Sequence, residues 1–301
     1  MNIPFPSGGQ HPLSHGDHQA VVTEVGASLR LYAVGGRDVV VPFAPEELAP
    51  AFSGALLAPW PNRLRDGQFT WAGTEHQVAV SEPDRSTALH GLVAKARFSV
   101  VEATPSSVTL EHRLVPTDGY PWPLVVEVTY ALSDEGLRVT TRTTNLGADE
   151  APYGLGFHPW LAPAGTVDDC VLQVGAERHV TVDERLLPTG TEPVAGTFDL
   201  REPVSLRGVA LDDAWVEPVR EADGRTWARL TGGDGRTAAM WADDAFAAWQ
   251  VCTGDGIPRV ERGGVAVEPM TCIADAFRTG DDVVVLGAGA THEATWGLTL
   301  V

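Results

Sequence analysis

LVVEVTYALSDEGLRVTTR, residues 124–142, is the stretch on which the fold turns. Leu124, Val126, Val128 and Tyr130 share one face of an extended chain and Val125, Glu127 and Thr129 the other, because side chains alternate with period two in a strand. Ser133-Asp134-Glu135-Gly136 supplies a turn, after which Leu137, Val139 and Thr141 alternate with Arg138, Thr140 and Arg142. The two runs predict an antiparallel hairpin with a buried face. Phe98 to Val101 and Val108 to Leu114, separated by Thr104-Pro105-Ser106-Ser107, predict a second hairpin beside the first.

The same signature continues outward. Arg178 to Val182, Trp227 to Leu230, Ala247 to Cys252, Gly264 to Glu268 and Ala294 to Leu300 are short, rich in β-branched or aromatic residues, and bounded by Gly, Pro or Asp. Glu46-Glu47-Leu48, after Pro45, is the best helix candidate and is too brief to be structural. Many short strands without intervening helices predict an all-β protein, a large antiparallel β-sandwich. The 32 glycines and 22 prolines make about 18% of the chain against roughly 12% in average usage, which favours turns over long helices. No linker, composition shift or fixed-period repeat divides the 301 residues, so a single domain over 1–301 is expected.

A formal net charge of −19 opposes binding to phosphodiester backbones, which requires a basic face, so nucleic acid is not an expected partner. Cys170, Cys252 and Cys272 are too few and too far apart for a disulfide framework and contain no Cys-x-x-Cys pair. Reduced thiols fit a cytoplasmic protein. The N-terminal MNIPFPSGGQHPLSHGDHQ has no basic segment followed by an apolar one, and no apolar run approaches ~18 residues, so neither export nor membrane insertion is expected.

Most of the nine histidines, namely His11, His15, His18, His76, His112, His179 and His292, have polar neighbours and read as solvated surface positions. His11, His15 and His18 are loosely spaced like metal ligands, but no carboxylate or cysteine pattern completes a site, so no metal is expected. His90, in Ala88-Leu89-His90-Gly91-Leu92, and His158, in Gly154-Leu155-Gly156-Phe157-His158-Pro159-Trp160, are embedded in apolar and glycine residues. That predicts partly buried imidazoles with backbone able to approach a ligand. Either could instead be a satisfied core histidine. Glu268 ends the apolar run Val265-Ala266-Val267, where burial would raise its pKa towards that of a general base. In Trp60-Pro61-Asn62-Arg63, an amide and a guanidinium suit vicinal hydroxyls and Trp60 could cover a sugar face; a structural ion pair for Arg63 is the alternative. Asp212, three residues before Trp215, is either a further acceptor or a turn aspartate.

Taken in order, Asn62-Arg63, His90-Gly91, His158-Pro159, Asp212-x-x-Trp215 and Glu268-Pro269 resemble the motifs of the aldose 1-epimerase family of galactose mutarotase-like proteins. The resemblance covers about residues 20 to 300 and includes Leu187-Pro188-Thr189-Gly190 and Asp275-Ala276-Phe277. It implies a mutarotase-like supersandwich with an open cleft for one sugar, and an isomerase needing no cofactor. It also implies that Glu268 is the catalytic base, His158 the general acid, and Asn62, Arg63, His90 and Asp212 the substrate-binding residues. For that work His158 must be protonated while Glu268 is ionised, and a carboxylate nearby is expected to raise the imidazole pKa. The chain departs from galactose mutarotases, which resemble His-Gly-Gly and Glu-Thr-Gln, in having His90-Gly91-Leu92 and Glu268-Pro269-Met270. A hexose-6-phosphate 1-epimerase, with Lys95 and Arg97 on the phosphate, and a sugar-binding module without catalysis are the alternatives. A glycoside hydrolase is weaker, because that chemistry wants two carboxylates flanking the bond. The sequence leaves the oligomeric state open.

Overall fold

The strands Leu124–Ser133 and Gly136–Asn145 pair antiparallel in an unbroken register, from Leu124 opposite Asn145 to Ser133 opposite Gly136. In this computed structural model, which describes residues 5–301, Leu124, Val126, Val128, Tyr130 and Val139 are fully buried. Residues 1–4, the start of the N-terminal stretch read above, lie outside the described residues. Burying each such side chain contributes about 1.5–3 kcal/mol before the entropy of ordering it is counted. Gly136 closes the turn at φ 107°, where a Cβ would lie 2.7 Å from the Leu298 carbonyl oxygen.

This hairpin lies within a nine-stranded antiparallel sheet. Ser99–Ala103 and Ser107–Leu114 flank it on one side, and Thr291–Leu300, Thr237–Ala242, Thr226–Thr231, Val171–Val174 and Val204–Ser205 on the other. A second, eight-stranded sheet runs in the order Pro188–Pro193, Ala176–Val182, Asp212–Pro218, Ala248–Cys252, Val265–Met270, Gly156–Phe157 and Leu56–Leu57, with Trp160–Leu161 also paired to Val265–Met270. The sheets pack face to face. Phe157 of the second meets Trp296 of the first with ring centroids 5.2 Å apart, and Trp249 Nε1 donates to Thr226 Oγ1 at 3.1 Å. The fold is therefore the expected all-β sandwich, and the nine strands read from sequence all form within a few residues of their expected limits.

Glu46-Glu47-Leu48 is not helical: Glu47 N closes a tight turn on the Ala44 carbonyl at 3.0 Å, and prolines at 45 and 50 leave too few residues to nucleate a helix. The one α-helix among the described residues is Ala276–Thr279, and no helix is long and apolar enough to cross a membrane.

What positions the site is the outer face of the eight-stranded sheet. Val265 and Val267 join the sandwich core, so alternation sends Ala266, Glu268 and Met270 to the opposite side. Loops cover that side, and all six residues of the strand are buried.

Candidate active site

Gly156 stands opposite Met270 and Trp160 opposite Ala266, so the same register carries through the intervening residues and sets His158 across from Glu268. His158 Nε2 is 3.3 Å from Glu268 Oε1. Both side chains are buried, and His158 Nδ1 and Glu268 Oε2 have no hydrogen-bond partner. On the other side of Glu268 the ladder places Gln250 opposite it, and Asp212 faces Cys252 one strand further on. Gln250 Nε2 donates to Asp212 Oδ1 at 2.8 Å, and Asn62 Nδ2 donates to Gln250 Oε1 at 3.2 Å.

Asn62 and His90 come from the small ladder formed by Arg63–Arg65 and Thr87–Leu89, just past its end. Both adopt the left-handed backbone conformation, φ 54° and 61°, uncommon outside glycine and concentrated at functional sites. The His90 N–H donates to the Asn62 carbonyl at 2.8 Å, and the Asn62 N–H donates to His90 Nδ1 at 3.2 Å. His90 Nδ1 is thus an acceptor, which puts the ring proton on Nε2. His90 meets His158 edge-on at 5.3 Å between centroids, and Phe52 packs against His90 at 4.6 Å.

Asn62, Arg63, His90, His158, Asp212 and Glu268 all line one cleft of about 660 Å³. Sequence reasoning missed Phe52, Glu82, Arg85, Trp160 and Gln250, which line it too. For Gln250 the signal was present: a lone amide in the apolar strand Ala248–Cys252.

Arg63 is both the structural ion pair and a cleft residue: Nε and Nη2 donate to the Glu82 carboxylate at 2.9 and 3.1 Å, and Nη1 reaches Asn62 Oδ1 at 3.4 Å. Trp60 does not cover the cleft. It is buried, its Nε1 donating to the Ala88 carbonyl and its ring edge-on to Phe277, while Trp160 supplies the aromatic wall. The glycines beside the histidines serve chain packing rather than a ligand: a Cβ on Gly91 would lie 2.2 Å from the Ala58 carbonyl oxygen, and one on Gly156 2.8 Å from Pro61.

Lys95 and Arg97 do not line the cleft. Lys95 Nζ sits 4.9 Å from the Phe52 ring centroid, and the exposed Arg97 pairs with Glu24 at 2.7 Å. Of the histidines read as solvated, His179 is buried, stacked on Phe198 at 3.8 Å between Asp213 at 2.9 Å and Glu192 at 3.3 Å. Its polar neighbours in sequence are solvated, while contacts from two other strands and a loop enclose its ring. The other six are half-buried; His15 pairs with Asp134 and His18 with Tyr32.

Burial dominates the electrostatics. It pushes the Glu268 carboxyl well above the usual range, aided by the negative charge of Asp212 and opposed by Arg63. It lowers His158 to about 4, with the Arg63 charge acting in the same direction. His90 is held well below its ordinary value by burial, then by His158, Arg63 and Lys95. The expectation that Glu268 would raise the His158 pKa is therefore corrected: dehydration of the imidazole, with the nearby Arg63 charge, outweighs attraction to the carboxyl.

The sequence pattern of the family described as aldose 1-epimerase matches residues 10–299. The chain is 34% identical over 297 residues to YihR of Escherichia coli K12, covering 95% of this chain and 91% of that protein. It is 35% identical over 190 residues to mouse galactose mutarotase, 58% of this chain and only 54% of the mouse protein. Among solved structures, the aldose epimerase homologue from C. elegans superposes with a TM-score of 0.86 at 19% identity over 97% of this chain and 98% of that one. A galactose mutarotase-like protein from Clostridium acetobutylicum gives 0.85 at 16% identity over 96% and 94%. The structural likenesses carry the fold and the sequence matches carry the kinship: the chain belongs to the aldose 1-epimerase family and is an isomerase.

Proposed function

We propose that this protein is a mutarotase that interconverts the α and β anomers of a free aldohexose such as glucose or galactose. Glu268 takes the proton of the anomeric hydroxyl while His158 gives one to the ring oxygen. The C1–O5 bond breaks, the aldehyde rotates about C1–C2, and closure on its other face returns both protons. Arg63 and the Nε2–H of His90 donate to sugar oxygens, Asp212 accepts from a hydroxyl, and Asn62 holds His90 and Gln250 in place.

The opposition of His158 and Glu268 across one register, 3.3 Å apart on the floor of the cleft, carries this reading. Its proton inventory is consistent with the chemistry. Ring opening moves one proton from the imidazole, through the sugar, to the carboxyl. Burial favours a neutral imidazole beside a protonated carboxyl, and that is the form required while the sugar is open. Ring opening itself begins from the other arrangement of the same proton, with His158 charged, and the two groups are close enough to exchange it.

A non-catalytic sugar-binding role gives no reason for two buried, unpartnered polar atoms on facing residues. A phosphorylated substrate is not favoured, because Lys95 and Arg97 lie outside the cleft. The three free, buried cysteines support a cytoplasmic location. Polarimetry on freshly dissolved α-glucose and α-galactose tests the proposal: relaxation faster than in buffer is expected, with Glu268→Gln at least about 100-fold slower. An unchanged rate in that variant would overturn the base assignment.

A further inference from the structure

Ser81 to Thr87 passes along the rim of the cleft, and its central contact is the Glu82 carboxylate. Oε2 accepts from Arg63 Nε at 2.9 Å and Thr87 Oγ1 at 2.6 Å; Oε1 accepts from Arg63 Nη2 and Arg85 Nη1, both at 3.1 Å. Backbone bonds in both directions between Glu82 and Thr87 fix the loop. Arg63 and Arg85 are the only cations among the described residues that line the cleft, and both donate to this one carboxylate. Asp84, Asp212, Asp255 and Glu268 line it as well. Partial burial would raise the Glu82 pKa, but hydrogen bonds from Arg63 and Thr87 and the charges of Arg63 and Arg85 lower it overall, so Glu82 is ionised at neutral pH.

The consequence concerns which sugars the cleft admits. A guanidinium bound at Nε and Nη2 by a carboxylate can still donate through Nη1 and the remaining Nη2 hydrogen, which suits neutral hydroxyls. It offers little net charge to an anion, and the surrounding carboxylates repel one.

We propose that Glu82 is a specificity-determining residue: it holds Arg63 in place and, together with Asp84, offsets the charges of Arg63 and Arg85 at the cleft rim, so that the site accepts uncharged aldoses and rejects anionic ones such as sugar phosphates and sugar acids. This rests on the mutarotase reading above.

The test compares kcat/KM for α-glucose and α-glucose 6-phosphate in the whole 301-residue chain. The wild type is expected to favour glucose. Glu82→Gln, which keeps the shape and removes the charge, should narrow that preference about tenfold, the effect of one unmasked charge near a rim-bound anion. Glu82→Asp should retain the preference while raising KM for both sugars. Arg85→Gln, at a half-exposed position unlike the core, should widen the preference, and decides the matter if Glu82→Gln does not fold. A wild-type preference for the phosphate, or a ratio unmoved in both charge-changing variants, would overturn the role of Glu82; equal losses on both sugars would reduce it to a structural ion pair and overturn it too. A wild type inert on both sugars would instead overturn the mutarotase reading, and this inference with it.

Discussion

Gln250 stands directly opposite Glu268 on the neighbouring strand, yet its amide is engaged elsewhere, accepting from Asn62 and donating to Asp212. The side chain best placed to solvate the carboxyl thus ties two cleft-lining residues together and leaves Glu268 Oε2 without a partner. Replacing Gln250 by Leu should therefore disconnect Asn62 and Asp212 and leave polar groups buried, each costing about 1–3 kcal/mol. We expect KM to rise more than kcat falls, with a lower urea midpoint, measured by saturation kinetics and chemical denaturation. A fall in kcat with KM unchanged would contradict this positioning role.

Glu268→Gln should be more stable than the wild type at neutral pH. The folded protein holds the Glu268 proton more tightly than the unfolded chain does, since burial raises this pKa. Between the unfolded carboxyl's pKa and the raised folded value, the native state binds more protons, so stability falls as pH rises through that window. Below it, the carboxyl is protonated in both states and costs nothing. The isosteric amide escapes the penalty. Thermal melts should show a gain for the variant at neutral pH that shrinks as the pH is lowered into the carboxylate range, and a variant less stable than wild type at neutral pH would refute the argument.

Activity should follow a bell in pH set by the pair acting together. Below about 4, the value to which His158 is depressed, both groups are protonated and no base exists. Above the raised pKa of Glu268, both are bare and no acid exists. The single-proton state between them is the competent one. A low-pH limb at the ordinary imidazole value of ~6.5, in place of one at about 4, would mean that His158 titrates as if exposed.

His90 should stay neutral through the working range, its proton on Nε2 and its Nδ1 accepting from the Asn62 N–H. Long-range nitrogen–proton NMR of the imidazoles reads the tautomer directly. A protonated Nδ1 at neutral pH would remove the donor assigned to His90 and the basis for its orientation.

Gly91→Ala should lose stability and activity together. Its φ of +69° disfavours any side chain, and the added Cβ would lie 2.2 Å from the Ala58 carbonyl oxygen. Displacement of that backbone should cost about 2–4 kcal/mol and move the adjacent His90. Urea unfolding and the rate on glucose, measured on the same preparation, check both; a variant as stable as wild type would show that the loop accommodates a side chain.

The sequence made legible what depends on alternation and local polarity. Glu268 stood out because Val265-Ala266-Val267 surrounds a carboxyl with apolar neighbours, and the outer-face position follows from period two. His90 and His158 stood out for the same reason. Glu82 did not: nothing in Ser81-Glu82-Pro83-Asp84-Arg85-Ser86 sets it apart from other polar segments, and only its bonds to Arg63, 19 residues away in sequence, give it a role. Trp60 and Trp160 could not be ranked from sequence, since which indole faces the cleft depends on loop paths set by long-range packing. The His158 pKa was misjudged because proximity to a carboxyl was legible and the depth of burial was not.

The proposed acid and base, His158 and Glu268, stand on hydrogen-bonded chain at the sheet face, whereas Phe52, Glu82, Arg85, Ile257 and Pro258 reach the cleft from connecting segments. On the proposed roles, reactivity and taste in sugar are mounted on different parts of the molecule. An engineer could exchange the rim while keeping the spacing of the reacting pair, and relatives that diverge in their loops could serve different sugars with one unaltered chemical step.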